Sequence, residues 1–326
     1  MKKWMLGAAL AGLLLAFPRD AADAARGAML QWYQTVAPAL FPFMALLPLL
    51  TCAESLQLYG TLLGPVTRRL FRLPGAAASA LAVGMLAGSP AGCLAARRTA
   101  GDLTPGELER LAAACCGLSP AFLISGVGVG MLGDAALGHL LLRSQIFAQA
   151  LLLTLPGPRR GEATELAPLP DADDPPIRAA VLGVLGVAGY MALFAALAGA
   201  LGRLAGDRAG RVLLCLMDVT SGARVVCGLP MALPGRLVLL SALIGFGGAC
   251  LLAQNLAALK GCGVNPGRFV ARRCLAAALA ALCTGLQLRF KWNYDVKIAP
   301  DVLKAACLCA ALMALPGIFR LRKTIF

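Results

Sequence analysis

Charge is scarce along this chain and lopsided where it occurs. Of 326 residues, 14 % are charged, with 16 Asp and Glu against 30 Lys and Arg, and His139 is the single histidine. The twelve cysteines lie mainly inside apolar runs and never take the C-x-x-C spacing. A zinc or haem site of the usual kind is therefore not expected, nor any other metal or cofactor. Nucleophile–base pairs, an H-E-x-x-H motif and paired intramembrane aspartates are also missing, which argues against an enzyme. The formal charge of +14 does not imply nucleic acid. The basic residues sit mostly between hydrophobic segments, as in Arg68-Arg69-Leu70-Phe71-Arg72, Arg97-Arg98, Arg272-Arg273 and Arg320-Leu321-Arg322-Lys323. There they orient a membrane protein and attract anionic lipid headgroups.

Apolar sequence is abundant: 59 % of residues are hydrophobic and the mean hydropathy is +0.77. The charge-free runs Leu111–Gly133, Ala179–Gly202 and Leu237–Leu259 are long enough to cross roughly 30 Å of hydrocarbon at about 1.5 Å per residue. The expected class is an all-α polytopic membrane protein. Two further apolar segments are interrupted at their centres, Leu73–Ala96 by Gly88-Ser89-Pro90-Ala91-Gly92 and Val212–Leu233 by Asp218-Val219-Thr220-Ser221-Gly222. Lipid offers no partners for free amides and carbonyls, so non-helical backbone at membrane depth must be buried in protein or line a wet cavity. Such breaks mark candidate sites.

The chain divides at a proline- and acid-rich linker, 156–177, which cannot bury a core. Before it lies a first membrane repeat, 27–155, preceded by an N-terminal segment, 1–26, that suits either a signal sequence or an uncleaved anchor. After it come a second repeat, 178–289, and a C-terminal membrane segment with a basic tail, 290–326. Each repeat follows one order: a span (Gly27–Thr51; Ala179–Leu201), a basic loop (Cys52–Arg72; Gly202–Arg211), a broken segment, a glycine-rich span and a further helix. An internally repeated transporter produces this pattern. If Leu73–Arg98 turns back as a re-entrant hairpin, Arg68, Arg69, Arg72, Arg97 and Arg98 all stay cytoplasmic, as positive-inside orientation favours. The second hairpin then opens outward, the repeats are inverted, and both termini of this multi-pass cell-membrane protein are cytoplasmic. Arg203, Arg208, Arg211, Arg224 and Arg236 are left outside.

Asp218 is the acid most enclosed by apolar sequence. An intramembrane carboxylate costs on the order of 2.5–3.5 kcal/mol on insertion scales, so it contacts a solute or cation, caps a half-helix beginning near Ser221, or does both. Ser89 and Pro90 form either a hairpin tip offering amides to a polar solute or a proline kink. Gly117-Leu118-Ser119-Pro120 and Gly245-Phe246-Gly247-Gly248 interrupt the following spans, as in transporters whose discontinuous helices build the site. Gln254 and Asn255 lie beyond the second break, for solute contact or interhelical hydrogen bonding. The candidate substrate-binding set is Ser89, Pro90, Ser119, Asp218, Thr220, Ser221, Gln254 and Asn255.

At these residues the chain resembles a known family. Gly88-Ser89-Pro90-Ala91-Gly92, Leu103-Thr104-Pro105-Gly106-Glu107-Leu108-Glu109-Arg110, Ser119-Pro120-Ala121-Phe122 and Gly126-Val127-Gly128-Val129-Gly130-Met131 are similar to YlbJ-type sporulation integral membrane proteins. These carry a nucleoside-recognition, or gate, domain. Gly247-Gly248-Ala249-Cys250 with Gln254, and Phe269-Val270-Ala271-Arg272, echo the second half. The chain departs from the family's Gly-Tyr-Pro-Thr-Gly type of tip, lacking its tyrosine and threonine. The resemblance implies a transporter-like role in sporulation and spore cortex formation, moving or sensing a small polar solute. A non-transporting scaffold for spore-assembly proteins is the alternative. Membrane lipids and that solute are the expected partners, nucleic acid is not, and a coupling cation and a homo-oligomer stay open.

Overall fold

Among the described residues four helices begin at a proline whose missing N–H and fixed φ suit the first turn: Pro18, Pro105, Pro176 and Pro266. Others begin at a side-chain cap. Thr104 and Glu107 form a capping box, and Asp134, Asp218 and Asn265 each accept a backbone N–H of the turn they start. The computed structural model describes residues 3–155 and 175–290, and among these no strand occurs. The expected linker up to 174 and the C-terminal apolar segment lie outside the described residues.

The chain opens with α1 (Lys3–Ala16) and α2 (Pro18–Gln31), which passes through a π-helical turn (Trp32–Val36) into α3 (Ala37–Leu50). Then come α4 (Ala53–Leu62), α5 (Gly64–Leu70), α6 (Ala77–Ala87), α7 (Ala91–Arg98) and α8 (Pro105–Cys115). A π-helical stretch (Phe122–Val129) leads to α9 (Gly130–Leu132) and α10 (Ala135–Thr154). The second half holds α11 (Pro176–Ala205), α12 (Asp207–Met217), α13 (Val219–Cys227), α14 (Leu233–Phe246), α15 (Gly248–Ala258) and α16 (Pro266–Arg289).

Among the described residues, five helical stretches are long and apolar enough to cross a membrane: Pro18–Leu50, Ala135–Thr154, Pro176–Ala205, Leu233–Ala258 and Pro266–Arg289. The first starts well before the expected Gly27. Leu111–Gly133, charge-free as it is, is not one continuous helix, because it straddles the end of α8 and the break beyond it. Neither expected basic loop is a loop. Cys52–Arg72 folds largely into α4 and α5, with Pro65 in the first turn of α5. In place of Gly202–Arg211, α11 and α12 meet across Gly206, whose φ of +81° suits glycine.

Small residues let these helices approach closely. A Cβ on Gly245 of α14 would stand 2.7 Å from the Ala276 carbonyl oxygen and the Ala277 Cα of α16, and one on Gly84 of α6 would stand 3.0 Å from Cys115 Cβ of α8. Behind them lies Arg273 of α16, 1 % exposed. Its guanidinium donates to the carbonyls of Ala113 (2.9 Å) near the end of α8, and of Ile244 (3.4 Å) and Phe246 (3.3 Å) at the end of α14. A helix C-terminus carries unpaired carbonyls and partial negative charge. One buried cation satisfies two such termini, one from each half, and corrects the sequence reading of Arg273 as a charge between segments.

Gly245→Leu drives a side chain into the α16 backbone, and we expect about 2 kcal/mol or more of destabilisation. Arg273→Met strands three buried carbonyls and should cost on the order of 3 kcal/mol or more, with Arg273→Lys losing less. Thermal unfolding in detergent measures both. A parental melting temperature in Arg273→Met would show that the two termini are satisfied otherwise.

Candidate functional site

Each half folds one helix pair around a turn and sets that turn on the break of a neighbouring helix. In the first half α6 and α7 pack together so tightly that a Cβ on Gly92 would lie 2.7 Å from Gly84 Cα. Between them Gly88 takes φ +71° and the Ser89–Pro90 peptide is cis. The Ser89 N–H donates to the Gly117 carbonyl at 2.7 Å, and a Cβ on Gly88 would lie 2.6 Å from the Ser119 nitrogen. The tip is therefore seated on the stretch where α8 has stopped and the π-helical segment has not begun. Gln145 of α10 repairs that stretch: its Oε1 accepts from the Leu118 N–H and its Nε2 donates to the Leu118 carbonyl, both at 2.9 Å. Ser119 Oγ accepts from the Phe122 N–H at 3.2 Å and restarts the helix.

The second half repeats the arrangement with different chemistry. Between α12 and α13, Asp218 is 2 % exposed and its Oδ2 accepts from the Ser221 N–H at 2.8 Å. It is the N-cap of α13, which starts at Val219, two residues earlier than the sequence suggests. This tip sits on the break between α14 and α15, where Gly247 and Gly248 take φ of +92° and +77°. A Cβ on Gly248 would lie 3.0 Å from the Val219 nitrogen and 3.2 Å from the Met217 carbonyl oxygen. Glycine is required there by both conformation and space.

Both tips, the first break and α15 just beyond the second break border one small cavity of about 50 Å³, lined in part by Ser89, Ser119, Asp218, Thr220 and Gln254. Five of the eight candidate residues thus meet, from positions up to 165 residues apart in sequence. Val36, Leu40, Phe122, Val187, Met191 and Leu251 supply apolar wall. Gln254 is 6 % exposed, its Nε2 donates to Cys250 Sγ at 3.1 Å, and its Oε1 has no hydrogen-bond partner among the described residues. The other three candidates stand behind the wall. Pro90 starts α7, Ser221 donates its N–H to Asp218, and Asn255 is fully buried. Asn255 Nδ2 donates to Ser89 Oγ (3.2 Å), Cys116 Sγ (3.0 Å) and the Leu251 carbonyl (2.8 Å), tying α15 to the first tip. Among the described residues no group of three or more His, Cys, Asp or Glu gathers to hold a metal ion.

A second, larger hollow of about 820 Å³ adjoins the first, sharing Ala39 and Phe122 with it. Gln34, Thr35, Ser125, Met131, Arg224 and Cys227 are among its walls. Sequence reasoning found the breaks but not Gln145, Arg273 or this hollow. Two glutamines four residues apart within α10, Gln145 and Gln149, were the available signal for Gln145.

Residues 34–135, which include the first tip and its break, match the family model described as Gate, nucleoside recognition. Over 134 residues the chain is 36 % identical to the sporulation integral membrane protein YlbJ of Bacillus subtilis (strain 168). That alignment covers 40 % of this chain and 33 % of the relative, so the chain matches about a third of that protein's length. No solved structure matches. Residues 34–135 are thus similar to the nucleoside-recognition Gate domain, in a multi-pass membrane protein that is helical among its described residues and similar over part of its length to a sporulation integral membrane protein.

Proposed function

We propose that this protein is a transporter-like membrane component of sporulation that binds a small polar solute between two inverted, re-entrant hairpins and moves or senses it without altering it chemically. The observation that carries the reading is the meeting of both tips, the first break and α15 just beyond the second break at one small cavity, which is lined by a buried carboxylate and by a glutamine whose amide oxygen has no partner among the described residues. Fold alone does not assign function. Backbone left at membrane depth around a polar hollow, however, is the arrangement by which broken-helix transporters build a midplane site.

Lengths support the hairpins. α6 and α7 contain 11 and 8 residues, and α12 and α13 contain 11 and 9. At about 1.5 Å per residue none reaches across about 30 Å of hydrocarbon. Charge supports the orientation. Arg110 donates to the carbonyls of Arg72 and Leu155, Arg98 bonds Thr51, and Arg97 reaches Ala258 and Lys260. Basic residues on either side of the first hairpin thus collect at one end, which the positive-inside tendency makes cytoplasmic. The role in sporulation follows the relative's name, and cortex formation is the step that the family resemblance suggests.

The central cavity has room for a few waters only, so binding a solute of nucleoside size requires the tips to part. Asp218 and Gln254 are the groups that would meet it, with Ser89, Ser119 and Thr220 as hydroxyl partners. We expect Asp218→Asn and Gln254→Ala to lower solute accumulation at least tenfold at unchanged protein abundance. The measurement is uptake of a panel of nucleosides and other small polar metabolites into proteoliposomes, with spore yield read in a host lacking its own copy. If no solute accumulates and both variants sporulate normally, while disruption of α4 and α5 abolishes sporulation, the protein is a scaffold.

A further inference from the structure

The two ends of the cavity are closed in different ways. At the basic end the halves are tied by charge. Glu109 of α8 is fully buried, and its Oε2 accepts from Arg268 Nε at 3.0 Å and from the Asn265 N–H at 3.4 Å, while its Oε1 accepts from Arg272 Nε at 3.3 Å. Beside it Arg97 Nη1 of α7 donates to the carbonyls of Ala258 (2.9 Å) and Lys260 (3.2 Å). Every one of these contacts joins α7 or α8 to the segment running from the end of α15 into α16. That segment contains Gly261 and Gly263 at φ of +85° and +68°, and the Arg268 side chain is half-exposed at 51 %, so water reaches the tie.

At the other end the same halves part around the 820 Å³ hollow, whose walls come from both: Thr35, Phe122 and Ser125 from the first, Arg224, Cys227 and Gly228 from the second. Phe122, 6 % exposed, and Ala39 border both hollows. The aromatic ring is thus the large side chain between the open vestibule and the central cavity.

We propose that Glu109, with Arg268, Arg272 and Arg97, is a latch that shuts the basic end while Phe122 screens the central cavity from a vestibule open at the opposite end. A buried carboxylate stays favourable only while its cations stay in place, and losing one strands the charge. The cluster therefore has two discrete states, joined or parted, as an element that opens one end must. The purpose of the latch rests on the solute-moving reading, but its state can be read without any solute.

The test places a cysteine at Ser119 in an otherwise cysteine-free full chain and reacts it with an impermeant maleimide, in vesicles exposing one face or the other. With the latch intact, labelling should come from the vestibule face alone, and Phe122→Ala should accelerate it about fivefold or more. Glu109→Gln should open labelling from the basic face. Arg268→Ala, at the exposed arm of the cluster, should do the same and serves where Glu109→Gln does not accumulate. Basic-face labelling in the chain whose latch residues are all intact would overturn the proposal, as would background labelling from that face in latch variants present at parental levels. Failure of solute uptake with these labelling results intact would remove the transport reading and leave the latch.

Discussion

The architecture depends on one buried cation. Arg273 reaches the C-terminal carbonyls of α8 and α14 together, and those are the two helices that stop short beside the tips. A helix that ends inside a membrane leaves carbonyls that water cannot solvate, and each stranded group is costly. Placing a guanidinium between two such ends uses its planar, multi-donor shape, which a lysine cannot reproduce. Because α8 belongs to the first half and α14 to the second, the same contact fixes the halves relative to one another. The cavity between their tips inherits its position from that contact.

The rest of the centre follows from satisfying the remaining backbone. Gln145 pairs both polar groups of Leu118, Ser119 and Asp218 cap the restarting helices, and Ser89 gives its amide to Gly117. These partners are side chains or neighbouring turns, so the breaks persist without water, and three of them, Ser89, Ser119 and Asp218, also line the cavity. Asp218 illustrates the overlap. The capping and solute readings compete in the sequence, yet the folded carboxylate caps α13 and lines the hollow at once. Gln254 differs, since its carbonyl oxygen has nothing to do structurally among the described residues.

The breaks were legible because glycine, proline and small polar residues stand out in apolar runs. Asp218 was legible because it is an acid without a nearby base in sequence. Partners contributed from elsewhere in the chain were not legible. Arg272 and Arg273 read as one basic pair, but consecutive helical residues point about 100° apart. One of them therefore meets Glu109 and the other enters the core. Gln254 and Asn255 part company for the same reason, one facing the cavity and the other holding Ser89. A charge-free run alone does not register where the backbone of Leu111–Gly133 stops being helical; the Gly117-Leu118-Ser119-Pro120 motif did, and α8 ends just before it.

The central claim is that the first tip turns back within the membrane, so that Arg72 and Arg98 share a face opposite Gly133 and Arg236. Single cysteines at those four positions in a functional, cysteine-free chain, probed with impermeant thiol reagents on intact cells, test it directly. The account predicts labelling at 133 and 236 from outside and protection of 72 and 98 until the membrane is opened. Labelling that separates 72 from 98 would make the first break a kink in a spanning helix and contradict the account.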